Sequence, residues 1–118
     1  MKVEFPWPSA AVSANGSHGH WSSVSRARKV IREQAYWLTK NAVVDHPEFC
    51  VPEDGEIMLN ITFNPPSRRR FDLDGLLTRS KSILDGYADA LVVNDHRFAM
   101  TIRRGEPVPG GKVAIEVL

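Results

Sequence analysis

The chain is poor in several things, and each shortage excludes something. It has one cysteine, Cys50, in 118 residues, which rules out an intramolecular disulfide framework and fits a reducing compartment; a lone thiol there is usually a small buried hydrophobe. Long apolar runs are missing too. Met1 to Pro8 alternates apolar residues with charges and prolines, which predicts neither a signal peptide nor a membrane span. There is no internal repeat, and the one low-complexity stretch, Ser9 to Gly19, is mostly Ser, Ala, Asn, Gly and His. Net charge is only +1 at neutral pH, so the total singles out no polyanion partner. What remains predicts a soluble, intracellular protein with one domain over residues 1–118, long enough for one core and too short for two.

Charge is present, but unevenly placed. Asp45, Glu48, Glu53, Asp54 and Glu56 form an acidic tract without a Lys or Arg inside it. The bases gather as Arg26, Arg28, Lys29 and Arg32, as Arg68 to Arg70 with Arg79 and Lys81, and as Arg97, Arg103 and Arg104. Brought to one side, these clusters would give the basic face of a nucleic-acid binder; dispersed, they merely solvate a surface.

Hydrophobic periodicity predicts a strand over Met1 to Phe5, stopped by Pro6 and Pro8, then a loop. A helix capped by Ser22 or Ser23 follows. Its apolar stripe is Val24, Ala27, Val30 or Ile31, Ala35, Leu38 and Ala42, and it ends at His46-Pro47. Glu56 to Phe63 alternates as a half-buried strand, broken by Asn64-Pro65-Pro66-Ser67. After a second helix, Ala90 to Val93 and Phe98 to Ile102 read as short strands, and Val113, Ile115 and Val117 mark a last one beyond a turn region at Gly105 to Gly111. The fold class is α+β: a small mixed sheet of four to five strands with two main helices packed on one face.

The segment from Arg68 to Asp95 concentrates the chemistry. Residues two apart share a side only in extended backbone, so Asp72 and Asp74 can cooperate only if the helix begins within Asp72 to Asp74. Leu73, Leu76, Leu77, Leu84 and Tyr87 then face the sheet, with Ser80 and Ile83 at the margins, and Asp74, Thr78, Lys81 and Asp85 make a polar stripe. Paired carboxylates suit Mg²⁺, which keeps several waters and takes one or two protein carboxylates plus phosphate oxygens. Lys81 could neutralise charge on a phosphate, and Asp95 becomes a candidate third ligand if the Ala90 to Val93 strand lies beside the strand ending near Asn64. Each piece has a plainer role as well: Asp72 as a helix cap, the Arg run and Lys81 as solvated surface, Asn94-Asp95 as a turn.

These residues resemble the RusA-type Holliday-junction resolvases, particularly their phage and prophage versions. The resemblance is carried by the Arg-rich approach to Asp72-Leu73-Asp74, by Lys81 before Leu84-Asp85-Gly86, and by Val92-Val93-Asn94-Asp95. Phe5-Pro6-Trp7-Pro8, Ser13 and Asn15, and His20-Trp21 extend it to the N-terminus. It implies Asp72, Asp74 and Asp95 as catalytic Mg²⁺ ligands, with Mn²⁺ as a substitute, and Lys81 as the assisting base. It further implies a homodimer acting on branched DNA in the cytoplasm of a bacterial cell, with no membrane partner. Arg68, Arg69, Arg70, Arg79, Lys81, Arg26 and Lys29 are the expected DNA-binding residues. The chain departs from the family pattern at Gly75, where asparagine is common, at Asn94, where an acid is common, and at Thr78, where some members have the lysine.

Two further readings stand beside the nuclease: a branched-DNA-binding module impaired in catalysis, and a metal-dependent phosphohydrolase for small phosphates. Trp7 and Trp21 are either anchors for dimer or DNA, or core residues. His18 and His20 read as polar loop residues, because no Cys or further His accompanies them as zinc ligands.

Overall fold

The computed structural model describes residues 1–8 and 21–118; the loop expected from Ser9 to Gly19 lies outside them, as do Ser13, Asn15, His18 and His20. The elements are β1 (Lys2–Pro6), α1 (Trp21–Asp45), β2 (Ile57–Asn64), α2 (Leu73–Arg79), α3 (Lys81–Leu91), β3 (Phe98–Arg104) and β4 (Lys112–Val117), with a 3-10 turn at Asp95–Arg97 before β3. This is a small α+β fold with a four-stranded mixed sheet in the order β1-β4-β2-β3.

β4 pairs antiparallel with both β1 and β2, whereas β2 and β3 run parallel, Ile57 beside Phe98 and Ile61 beside Ile102. Parallel neighbours need a crossover, and α2 with α3 supplies it. Period-two alternation decides which face is covered. Val3, Phe5, Ile57, Leu59, Ile61, Phe63, Val113 and Ile115 are buried on one face, where Leu76, Ile83, Leu84 and Tyr87 of α2 and α3 and Ala35 of α1 meet them. Full burial of each large aliphatic or aromatic side chain contributes about 1.5–3 kcal/mol, so this one face carries most of the driving force.

Helix α1 packs chiefly on α3, and the approach is close at Gly86. A Cβ there would overlap the Arg32 carbonyl oxygen and stand 2.8 Å from the Ala35 Cβ. Only glycine lets the two helices meet at that point.

Three local expectations are corrected and one alternative is resolved. Helix α1 already includes Trp21, so neither Ser22 nor Ser23 stands at its boundary. Of the two candidates for its stripe, Ile31 packs on the core and Val30 is solvent-exposed. The second helix is divided at Ser80, a fully buried residue whose hydroxyl donates to the Leu76 carbonyl at 2.9 Å while its N–H is shared between the Leu76 and Leu77 carbonyls. Such back-bonding often bends a helix, but Thr39 makes the same bond to the Ala35 carbonyl within the unbroken α1, so it accompanies the break at Ser80 without explaining it.

The last correction is Ala90 to Val93, which is no strand. Ala90 and Leu91 end α3, and Val92 adopts the left-handed conformation at φ 56°. The Val93 N–H closes onto the Ala88 carbonyl and that of Val92 onto Asp89, a Schellman closure. A run of β-branched and apolar residues reads as strand by propensity; here tertiary packing and the closing turn override it.

Candidate nucleic-acid interface and carboxylate site

Parts of two of the three basic clusters come together. A groove of about 480 Å³ between α1 and the α2–α3 junction is lined by Arg28, Lys29 and Arg32 from one side and Thr78, Arg79, Lys81, Ser82 and Asp85 from the other. Five cations line it with one carboxylate, and although Arg32 and Lys81 are also held by Asp89 and Asp95, the cations still outnumber the acids, a balance that a phosphate backbone neutralises. Arg28 and Arg32 are four residues apart, hence on one flank of α1.

The cations at the α3 end of this groove are held by a chain of carboxylates. Lys81 Nζ donates to Asp85 Oδ1 at 2.6 Å and to Asp95 Oδ2 at 3.0 Å. Arg32 grips Asp89 with two hydrogen bonds, Nε to Oδ2 at 2.7 Å and Nη2 to Oδ1 at 3.0 Å, and its Nη1 lies 4.0 Å from Asp85 Oδ2. Such a fork is geometrically specific. The hydrogen bonds to Asp85 and then Asp95 raise the Lys81 pKa above its ordinary value. Lys81 is therefore a firm ammonium at neutral pH, fitted to neutralise charge and unfitted to act as a general base. The same bond lowers the Asp95 carboxyl, and the hydrogen bond from Arg32 lowers Asp89. Asp95 is presented by the 3-10 turn, whose start Asn94 caps by accepting from the His96 N–H at 3.1 Å.

Asp72 and Asp74 stand differently. Helix α2 begins at Leu73, with Asp72 at the cap position in extended backbone (ψ 133°) and its side chain making no capping bond. The boundary required for the two carboxylates to cooperate is thus the one observed. Both residues are exposed, and among the described residues neither carboxylate is in a salt bridge. The approach to them is fixed by Arg104, whose Nη2 donates to the Phe71 carbonyl at 2.8 Å, and by Trp7, whose ring packs edge-on to Phe71 and Phe63. Trp7 is a packing residue. Arg79 lies over its ring and donates to the Pro8 carbonyl at 2.7 Å, so this groove cation also ties down the chain after β1.

The expected site residues therefore fall into groups. Lys29, Arg79 and Lys81 line the groove; Arg26 is exposed on α1 outside its lining, and Arg68, Arg69 and Arg70 are exposed ahead of α2, with Arg69 over the Phe71 ring. Lys81 joins Asp95 but follows the Ser80 break, so it is not on one continuous helical stripe with Asp74. Among the described residues no three His, Cys, Asp or Glu side chains stand close enough to hold an ion together, so Asp72, Asp74 and Asp95 form no ready cage. Arg28 and Arg32 also line the groove, beyond the residues expected to bind DNA; their four-residue spacing is the signal that could have found them. The third basic cluster disperses: Arg97 binds the Pro52 and Gly55 carbonyls, Arg104 binds Phe71, and Arg103 reaches Thr62 across the sheet. Cys50 is an exposed free thiol rather than a buried one. No helix among the described residues is long and apolar enough to cross a membrane.

No protein-family model matches the chain. It is similar to an uncharacterized protein of Xylella fastidiosa, with 39% identity over 98 residues, which are 83% of this chain and 62% of that protein. The chain thus spans less than two thirds of that relative's length.

Proposed function

We propose that the protein is a Mg²⁺-dependent endodeoxyribonuclease for branched DNA, hydrolysing phosphodiester bonds in symmetry-related strands of a four-way junction as a homodimer. The observation that carries this reading is the meeting of two surfaces. Lys81 and Asp85 belong both to the basic groove and to the carboxylate chain that reaches Asp95. The groove also reaches the start of α2, because its lining residue Thr78 donates to the Asp74 carbonyl at 3.0 Å, so a phosphate backbone drawn into it passes one helical turn from Asp74.

The donor chemistry fits a hard cation. Asp72 and Asp74 are exposed, free of salt bridges among the described residues, and set at the boundary of α2; Mg²⁺ asks for no more than one or two protein carboxylates, the rest of its shell being water and phosphate oxygen. Asp72 and Asp74 would hold it, and Mn²⁺ accepts the same donors; Asp95, before the first residue of β3, stands at the other end of that strand from Asp72, whose neighbour Phe71 is bonded by Arg104. Bound there, such an ion supplies polarisation of the phosphodiester and a more acidic water. The protein's own part is distinct: Arg28, Lys29 and Arg32 grip the backbone, Arg104 and Trp7 hold Phe71 so that Asp72 is presented, and the Lys81 ammonium offsets the extra negative charge of the reacting phosphate.

A second reading, binding without cleavage, is favoured by one contact: Lys81 occupies Asp95 at 3.0 Å. Gly75 and Asn94 depart from the resolvase pattern in the same direction. A gel assay on a synthetic four-way junction beside a linear duplex of the same sequence, with and without Mg²⁺ or Mn²⁺, separates the two. Metal-dependent paired nicks in the junction are expected. Salt-sensitive binding without any nicking selects the module, and turnover of a small phosphate ester without DNA affinity rejects both.

A further inference from the structure

Helix α1 carries a second surface, turned away from α3. Val30, Trp37 and Val44 are 64%, 56% and 77% exposed and stand seven residues apart. Seven residues return a helix to within about 20° of the same direction, so the three form a single apolar stripe roughly 21 Å long. The core does not use it, because Val24, Ile31, Ala35 and Leu38 already face inward. Large apolar side chains left in water along one helix face, here interleaved with Glu33, Gln34, Lys40 and Asn41, mark an interaction surface.

We propose that this stripe is a homodimer seam, with α1 packed antiparallel on α1 of a second copy and Trp37 at the two-fold axis. Charge selects both the occupant and the direction. A two-fold through Trp37 sets Val30 of one copy against Val44 of the other. Glu33 and Lys40 lie on the same flank of the stripe, four residues before Trp37 and three after it, at about 100° of rotation per residue. The antiparallel pairing therefore brings each Glu33 carboxylate to the Lys40 ammonium of the other copy, twice over. A parallel pairing would carry Glu33 and Lys40 of the second copy to the opposite flank of the seam, where neither meets its opposite charge. The surface is self-complementary in one orientation, the requirement of an isologous interface. Arg28 and Arg32 point toward the opposite side of the helix, so both grooves stay open.

The seam deepens the proposed function, resting on it for the dimer's purpose, since two symmetry-related strands call for two sites. Its test reads mass rather than cleavage, so either can fail without the other. Sedimentation velocity of the whole chain over a concentration series should show a dimer. Trp37→Glu should weaken self-association by roughly thirtyfold or more, as for a central aromatic anchor, with an unchanged circular dichroism spectrum; Val44→Glu serves if that variant does not fold. Glu33→Lys or Lys40→Glu alone should weaken the dimer and the two together restore it. In a Cys50→Ser background, Val30→Cys with Val44→Cys should cross-link on oxidation and Val30→Cys alone should not. A monomeric wild type, a dimer indifferent to the Trp37 and Val44 variants, or cross-linking by Val30→Cys alone overturns the proposal.

Discussion

The two sets of aspartates in this molecule are held in opposite ways. Asp85, Asp89 and Asp95 are each tied to Lys81 or Arg32. Asp72 and Asp74, at the start of α2, have no salt bridge among the described residues, and Asp72 does not use its side chain even to cap its own helix. The first set has its charge already neutralised and acts as scaffolding for the basic groove. The second has its carboxylates exposed and without a cationic partner among the described residues. A cation ligand needs the second condition, which is why the pair at α2 carries the metal reading although the first set looks more organised.

Several changes would break or sharpen this contrast. The largest effect is expected from Asp72→Asn, which should lower metal-dependent junction cleavage by roughly a hundredfold or more, beyond what outer-shell changes cost at metal sites. Junction affinity should survive, as a mobility-shift assay would register. Next comes Gly86→Ala, which forces α1 from α3 and with it Arg32 from Asp85 and Asp89. It should cost about 1–3 kcal/mol in urea denaturation, the usual range for overpacking. Arg28→Ala or Lys29→Ala should leave cleavage chemistry intact but reduce the salt slope of DNA binding by about 1 for each phosphate no longer neutralised.

The smallest change is on the buried face of α3, between Asp85 and Asp89 in sequence. Tyr87 is fully buried, and among the described residues its hydroxyl has no hydrogen-bond partner; burial pushes its pKa well above the ordinary value. A folded pKa raised above the unfolded one means that stability is fully present below the unfolded tyrosine value, about 10, and is lost as pH rises above it because only the unfolded chain ionises freely. Tyr87→Phe removes an unsatisfied polar group, so it should stabilise by about 1 kcal/mol. It should also flatten this alkaline decline, measured as denaturation midpoints between neutral and strongly basic pH.

Much of this architecture could be read from residue order because its signals are local. Alternation in Ile57, Leu59, Ile61 and Phe63 marks β2 and its buried face, and an aspartate before Leu73 marks the start of α2. Other features depend on tertiary partners. The parallel pairing of β2 with β3 leaves no trace in either strand, and Val92 enters a left-handed turn because the chain closes onto Ala88, not because valine favours it. At the site, the position of Asp72 was legible as a cap boundary. The attachment of Lys81 to Asp95 was not, since it needs the Ser80 break and the 3-10 turn at once. Arg28 and Arg32 become groove residues only when α1 is laid against α3.

The contrast between engaged and unengaged aspartates is tested most directly by following side-chain carboxyl ¹³C shifts during a Mg²⁺ titration of the wild-type protein without DNA. Asp72 and Asp74 should shift together and saturably, while Asp85 and Asp89 stay with their cationic partners. Saturable shifts confined to Asp85 and Asp89, or no response at Asp72 and Asp74, would contradict the assignment of the metal to the start of α2.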